Sequence, residues 1–180
     1  MYHSKLWQSF IDGDKKVLAT IFRSFYEELF NYGIKLTGSK DITEDGLQDL
    51  FLKLWINRKN LPDVKNTKAY LFTSFRHILF DNLKWYNRQD TKDLPKEDIF
   101  NVEFSHEDIL IRNSINTEIR EKLLNAINSL SSRQKEAIFL RYFINIDFDD
   151  IASIMEVNVQ SVRNFIHRGL IMLRELDIKK

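Results

Sequence analysis

The chain has 180 residues, with 27 Lys and Arg against 26 Asp and Glu and no cysteine. The lack of cysteine excludes a disulfide framework and a thiolate metal site. No early apolar run is long enough for a signal peptide or a bilayer span, so we expect a cytoplasmic protein without membrane insertion. Two prolines and five glycines leave few helix breakers, and apolar residues recur at the helical period. The composition therefore predicts an all-α fold.

Four helices are predicted in the first half of the chain. Residues 1–37 are expected to be helical with a break at Gly13, and Gly38 is the predicted stop. Asp41 and Glu44 resemble a capping box for the helix that follows. A fourth helix is predicted from about Thr67 to Asn87.

The third predicted helix has two distinct sides. Its apolar stripe consists of Leu47, Leu50, Phe51, Leu54 and Trp55. Its other side carries Glu44, Asp45, Gln48, Asp49 and Leu52. Acidic residues near a helix N-terminus are also favoured by the helix dipole, so this side is either a solvated surface or a binding face.

Charge is distributed unevenly along the chain despite a formal net charge of +1. Residues 51–88 contain eight basic residues and two acidic ones, and they include an Asn- and Lys-rich loop around Pro62. Residues 89–108 contain seven acidic residues and two basic ones. A local field of one sign can serve a binding surface even when the net charge is small.

Residues 89–105 lose helical periodicity and contain Pro95, which predicts an acidic linker between two helical domains, residues 1–88 and 106–180. Ser105 with Asp108 is expected to start the first helix of the second domain. Ser131 with Gln134 forms a predicted capping box for a helix from Arg133 to Phe143.

The last part of the chain, residues 147–173, predicts a helix-turn-helix. Asp147 and Asn158 are the expected caps of its two helices, and residues 156–158 form the turn. The buried stripe of the second helix is Val159, Val162, Ile166, Leu170 and Leu173. The opposite face carries Gln160, Ser161, Arg163, Asn164, His167 and Arg168. These side chains can contact base edges and phosphates, so the face suits a DNA major groove, although an ordinary amphipathic helix pair would show the same pattern.

Three stretches taken together resemble the extracytoplasmic-function (ECF) sigma factors of bacterial RNA polymerase, within the sigma-70 family. These are DITEDGLQDLFLKLW, TKAYLFTSFRHILFDNLK, and INSLSSRQKEAIFLRYF with the helix-turn-helix. The resemblance covers both domains in the same order. The sequence departs from the family pattern at Glu156 (commonly glycine), Ser131 (commonly proline) and His77 (commonly asparagine). A positive φ at Glu156 would cost about 1 kcal/mol.

The resemblance implies a factor that binds core RNA polymerase and reads two promoter elements. It assigns polymerase binding to Asp45, Gln48 and Asp49. It assigns capture of the unwound minus-ten element to Arg58, Lys59, Asn60, Lys65, Asn66, Lys68 and Tyr70. Recognition of the minus-thirty-five duplex is assigned to the six residues of the second helix given above. The acidic linker matches one that enters the RNA channel of polymerase, and the family habit adds an anti-sigma factor as a partner.

No enzyme chemistry is indicated, because the four histidines lack metal-ligand spacing and no Gly-rich phosphate loop occurs. We therefore expect neither a cofactor nor a metal. A conventional helix-turn-helix regulator with an N-terminal sensing or dimerisation domain is the alternative, and an interaction protein is a third. The basic loop and the acidic linker favour the sigma factor, because a dimeric regulator needs neither.

Overall fold

The computed structural model describes residues 2–89, 104 and 117–174. The chain divides into two compact units, Met1–Leu94 and Pro95–Lys180. Both are helical, and the described ranges contain no strand, which confirms the predicted all-α class. The predicted linker lies outside the described residues except at Gln89 and Phe104, and the predicted helix start at Ser105 lies outside them too.

Residues 2–89 of the N-terminal unit form four helices that enclose an aromatic-rich core. They are α1 (Tyr2–Ile11), α2 (Lys15–Thr37), α3 (Lys40–Asn57) and α4 (Thr67–Gln89), and a 3₁₀ turn (Arg58–Asn60) follows α3. Helix α3 packs against both α2 and α4. A Cβ at Gly46 would lie 2.6 Å from Leu79 Cδ2. Glycine is therefore what lets α3 and α4 approach so closely.

Helix boundaries in this unit follow local hydrogen bonding. Gly38 has φ 65° and donates its N–H to Ile34 O, which confirms it as the stop of α2. The predicted capping box of Asp41 and Glu44 is wrong. Ser39 is the N-cap of α3, because its extended backbone turns its hydroxyl to accept from Ile42 N. Asp41 consequently lies in the first turn, and Glu44 pairs with Lys40 at 3.7 Å.

The described part of the C-terminal unit also forms four helices. They are α5 (Thr117–Ser129), α6 (Ser132–Ile138), α7 (Phe148–Met155) and α8 (Val159–Arg174). The predicted capping box at the start of α6 is confirmed, since Ser131 and Gln134 each accept the backbone N–H of the other. The helix predicted as far as Phe143 changes its winding after Ile138 and continues as a π-helical turn, Phe139–Phe143.

The turn between α7 and α8 places Glu156 in the left-handed region, with φ 54° and ψ 46°. Its N–H is directed to the carbonyls of Ala152 and Ser153 and ends α7. Residues with a Cβ are strained in this region, whereas glycine is not. The strain anticipated at this departure from the family pattern is therefore present in the fold.

We predict that the Glu156→Gly variant is more stable than Glu156→Ala by about 1 kcal/mol, because both lose the carboxylate but only glycine removes the left-handed strain. All three tryptophans lie in the N-terminal unit. Urea unfolding followed by circular dichroism should show the difference, while the tryptophan fluorescence transition stays in place. Equal stability of the two variants would mean that the turn carries no backbone strain.

Candidate functional site

Helix α8 presents the polar face that the sequence predicted. Asn158 Oδ1 accepts the Ser161 N–H at 2.7 Å and caps the helix, as expected. Val162, Ile166 and Gly169 are buried. Five of the six predicted DNA-contacting residues are exposed on the other side, and Ser161 is half-buried: Gln160, Arg163, Asn164, His167 and Arg168. The structure therefore brings the six together on one accessible helix.

The start of α7 is fastened to the π-helical turn by Arg141. Its Nη1 donates to Ile146 O and to Asp147 Oδ1, each at 3.0 Å. Asp147 is the N-cap of α7 by position, but its carboxylate makes no capping bond to the helix. The predicted side-chain cap is therefore wrong, since Arg141 takes the carboxylate instead. The guanidinium is an ionised donor, and it occupies the carboxylate in place of a helix N–H.

One aromatic ring links the two helices of the helix-turn-helix. The Phe148 ring lies 5.0 Å from Arg141 Cζ and 6.0 Å from Arg163 Cζ. Arginine is attracted to an aromatic face at such distances. On α8 itself, Gln160 Nε2 donates to Asn164 Oδ1 at 3.1 Å. Arg163 and Asn164 are thus partly oriented before any ligand arrives.

The loop between α3 and α4 separates the predicted minus-ten residues into two groups. Lys59, Asn60 and Lys65 are exposed. Arg58 instead stacks its guanidinium over the Trp55 ring at 4.2 Å and donates to Trp55 O at 2.8 Å. The loop is also fixed to α1, since Trp7 Nε1 donates to Pro62 O at 3.1 Å.

The three remaining predicted residues help to build α4 and its contacts. Asn66 is exposed, and its Oδ1 accepts the Ala69 N–H at 3.3 Å, as a helix cap does. Lys68 Nζ pairs with both carboxylate oxygens of Glu28, at 2.8 and 3.0 Å. Tyr70 packs its ring edge against Trp7 at 5.4 Å. Sequence reasoning could not separate these roles, because Glu28 and Trp7 lie far away along the chain.

The acidic side of α3 borders an open hollow of about 270 Å³ that α4 completes. Asp45 and Gln48 are exposed and Asp49 is half-buried. Asn82 and Trp85 of α4 line the same hollow, and the Trp85 side chain is 57% exposed. No local sequence pattern connects Trp85 with this face, because the contact depends on how α4 packs against α3.

The same face of α3 continues as an apolar surface. Leu52 and Ile56 are 57% and 64% exposed, and they follow Asp45 by seven and eleven residues. That spacing keeps them on one helix face. The helical period therefore could have revealed the whole stripe, although only its acidic part was predicted as a site.

Two negative findings apply to the described ranges. None of their helices has the length and apolar character needed to cross a membrane. Within the same residues, no group of His, Asp and Glu side chains is arranged to hold a metal ion.

Comparison with known proteins connects these faces to a family. The family model "Sigma-70, region 4" matches residues 120–173, which include the helix-turn-helix. The RNA polymerase sigma factor YlaC of Bacillus subtilis is 22% identical over 160 residues, covering 86% of this chain and 88% of the relative. The ECF RNA polymerase sigma factor SigX of the same species is 20% identical over 163 residues, covering 86% of this chain and 80% of SigX. The match thus spans both units. Together these matches support an ECF sigma factor.

Solved structures agree with this sigma factor in fold. RpoE of Bartonella quintana, solved with the anti-sigma factor NepR, has a TM-score of 0.61 at 23% identity and covers 90% of this chain and 98% of its own. CnrH, solved with the cytosolic domain of CnrY, has a TM-score of 0.64 at 14% identity and covers 96% of this chain and 95% of its own. The chain therefore shares its helical fold with the sigma factor RpoE and with CnrH.

Proposed function

We propose that this sigma factor binds core RNA polymerase and directs it to promoters that it recognises through two DNA elements. One observation carries the proposal: the exposed polar face of α8 in the C-terminal unit is accompanied by a long exposed stripe on α3 in the N-terminal unit. A conventional regulator needs α8 but has no use for that stripe. The relatives, which are sigma factors, also favour the initiation role.

The α3 stripe is the proposed polymerase site. Asp45, Gln48 and Asp49 provide carboxylates and an amide, and Leu52 and Ile56 add apolar area that is left uncovered in this chain. A partner surface that combines basic and apolar side chains would complement both parts. Charged contacts would favour the correct register, and burial of the apolar part would slow dissociation.

We predict that replacing Asp45, Gln48 and Asp49 with alanine weakens binding to core polymerase by roughly tenfold, equivalent to about 1.4 kcal/mol, because complementary charges are lost. A titration with labelled core polymerase measures the change. A matched control replaces Glu27, Asn31 and Asp41, which are also two acids and one amide exposed in the same unit. Equal affinity of both triple variants for core polymerase would remove the stripe from the polymerase site.

The α8 face is the proposed reader of the minus-thirty-five duplex. Gln160 and Ser161 lie near the capped N-terminus, and Arg163, Asn164, His167 and Arg168 follow along the helix. Losing a side chain that reads a base costs about 1 to 3 kcal/mol at particular base pairs. Losing a phosphate contact weakens all sequences alike and lowers the salt dependence. Initiation measured base pair by base pair therefore separates the two roles.

The exposed loop residues Lys59, Asn60 and Lys65 are the proposed contacts to the unwound minus-ten strand. An unstacked base needs hydrogen bonds to its edge and cationic support for its backbone, and these residues provide both. Asn66 can contribute its amide nitrogen while its oxygen caps α4. Three further residues stabilise the loop and the start of α4 through contacts within the unit. Arg58 stacks on Trp55, Lys68 pairs with Glu28, and Tyr70 packs against Trp7.

We predict that the variant with Asn60→Ala and Asn66→Ser lowers strand opening on a fully paired promoter. Serine retains a hydroxyl that can cap α4, so the effect reports the lost amides rather than a frayed helix. Permanganate footprinting measures the opening.

The defect should be smaller on a template already melted across the minus-ten element, since the opening step is then complete beforehand. Asn31→Ala, an exposed amide on α2, is the control. Wild-type opening of the paired promoter by the double variant would show that the loop amides do not capture the strand.

We also propose that an anti-sigma factor controls this protein by covering the surfaces that polymerase uses. The solved sigma factor RpoE, which has a similar fold, was captured with the anti-sigma factor NepR. Recovery of polymerase without any inhibitor from uninduced cells would contradict this form of control.

The proposed role is non-enzymatic and needs no cofactor, and it places the protein in the cytoplasm, where bacterial RNA polymerase works.

A further inference from the structure

One residue of the predicted linker is held firmly by the C-terminal unit. Phe104 is only 2% exposed. Its N–H donates to Asn128 Oδ1 at 2.7 Å, and its carbonyl accepts from Asn128 Nδ2 at 3.1 Å. A single side chain of α5 therefore satisfies both backbone polar groups of Phe104, in the way that a neighbouring strand would.

The ring of Phe104 enters an aromatic cluster formed by the π-helical turn. Its centroid lies 6.1 Å from that of Phe139 and 5.4 Å from that of Phe143. Those two rings are stacked on each other, 5.4 Å apart and 14° from parallel. The turn is closed by Ile144 N donating to Phe139 O, the five-residue spacing of a π helix. Such turns are often found at functional sites.

Two independent kinds of contact thus meet at one residue. Burial of an aromatic ring supplies attraction without direction, whereas the paired hydrogen bonds fix the backbone of Phe104 in one register. Neither contact involves the polar face of α8. The cluster is therefore separate from the surface proposed to bind DNA.

We propose that Phe104 and Asn128 fix the point where the connecting segment joins the C-terminal unit, and thereby restrict the promoter spacer lengths that the holoenzyme accepts. The inference rests on the proposed reading of two promoter elements by the two units. Phe104 follows Gln89, the last residue of α4, by fifteen residue steps, which span at most about 54 Å. If Phe104 were released, the contact that limits the connection to these fifteen steps would be lost, and the connection could lengthen.

A connection of limited length between the two units couples their DNA contacts. Each added base pair separates the promoter elements by about 3.4 Å and also rotates one relative to the other. A short tether limits how many such steps both units can follow at once. Release of Phe104 should therefore widen the range of accepted spacers without altering the base preference of either element.

The test compares Asn128→Ala with Asn125→Ala, an exposed amide on the same helix that serves as the control. Hydrogen exchange of the free sigma factor provides the first readout. Asn128→Ala should accelerate exchange of the Phe104 amide by about tenfold or more, since its acceptor is removed. Asn125→Ala should leave that amide protected, as in the wild type. Unchanged protection in Asn128→Ala would overturn the anchoring itself.

The second readout is transcription by the full holoenzyme from one selected promoter whose spacer is lengthened or shortened by one or two base pairs. Asn128→Ala should keep its output at the best spacer within about twofold of wild type and gain at least about threefold relative output at the others. Faster exchange with an unchanged spacer profile would overturn the role in promoter choice. If the wild-type holoenzyme initiated at no promoter, the proposed function would fail and the spacer role with it, while the exchange result would still decide the anchoring.

A Phe104→Ala variant tests the other half of the anchor, since it removes the aromatic ring but keeps the backbone groups that bind Asn128. It should resemble Asn128→Ala in both readouts. If it does not fold, Phe104→Leu retains apolar burial and should behave nearly as wild type. A widened spacer profile in Phe104→Leu, with the backbone amide of residue 104 still protected from exchange, would also contradict the proposal.

Discussion

The burial of one apolar stripe on each helix determines which side of that helix can meet a partner. On α8, burial of Val162 and Ile166 leaves the arginine and amide side chains exposed. On α3, burial of Leu50 and Leu54 leaves the acidic and apolar stripe exposed. The proposed binding faces are therefore consequences of core packing, and a change that rotated either helix would remove its face from the surface.

Local features of the fold could be predicted well from the sequence. The period of α8, the cap at Asn158, the capping box at Ser131 and the left-handed turn at Glu156 each depend on residues within a few positions of one another. The wrong predictions were also local. Ser39, and not Asp41, caps α3, because its hydroxyl accepts the N–H of Ile42. The carboxylate of Asp147 does not cap α7, because it pairs with Arg141 instead.

Long-range contacts could not be predicted in this way. Lys68 and Glu28 are 40 residues apart, and Phe104 and Asn128 are 24 apart. Nothing in the local pattern distinguishes Lys68, which is paired, from Lys65, which is exposed. The same holds for Trp85, whose place beside Asp45 depends on the packing of α4 against α3. The assignment of particular residues to DNA or polymerase thus requires the tertiary structure, whereas the class of protein could be predicted from the sequence alone.

The small net charge illustrates the same distinction between local and global properties. A value of +1 would by itself argue against nucleic acid as a partner. The basic residues are nevertheless concentrated around the loop and α4, and the acidic ones follow directly after. At physiological salt the Debye length is only about 8 Å, so a DNA strand or a polymerase surface experiences the nearby charges rather than the net charge of the chain.

The most direct test of the central claim is promoter recognition measured with and without core polymerase, over a pool of duplexes randomised in the upstream element. The sigma factor should select particular sequences and initiate transcription only together with core polymerase, and Arg163→Ala or Arg168→Ala should change the preference at defined base pairs or weaken all duplexes alike. Selection of the same sequences, with equal affinity, by the free protein would contradict the account and favour a conventional regulator.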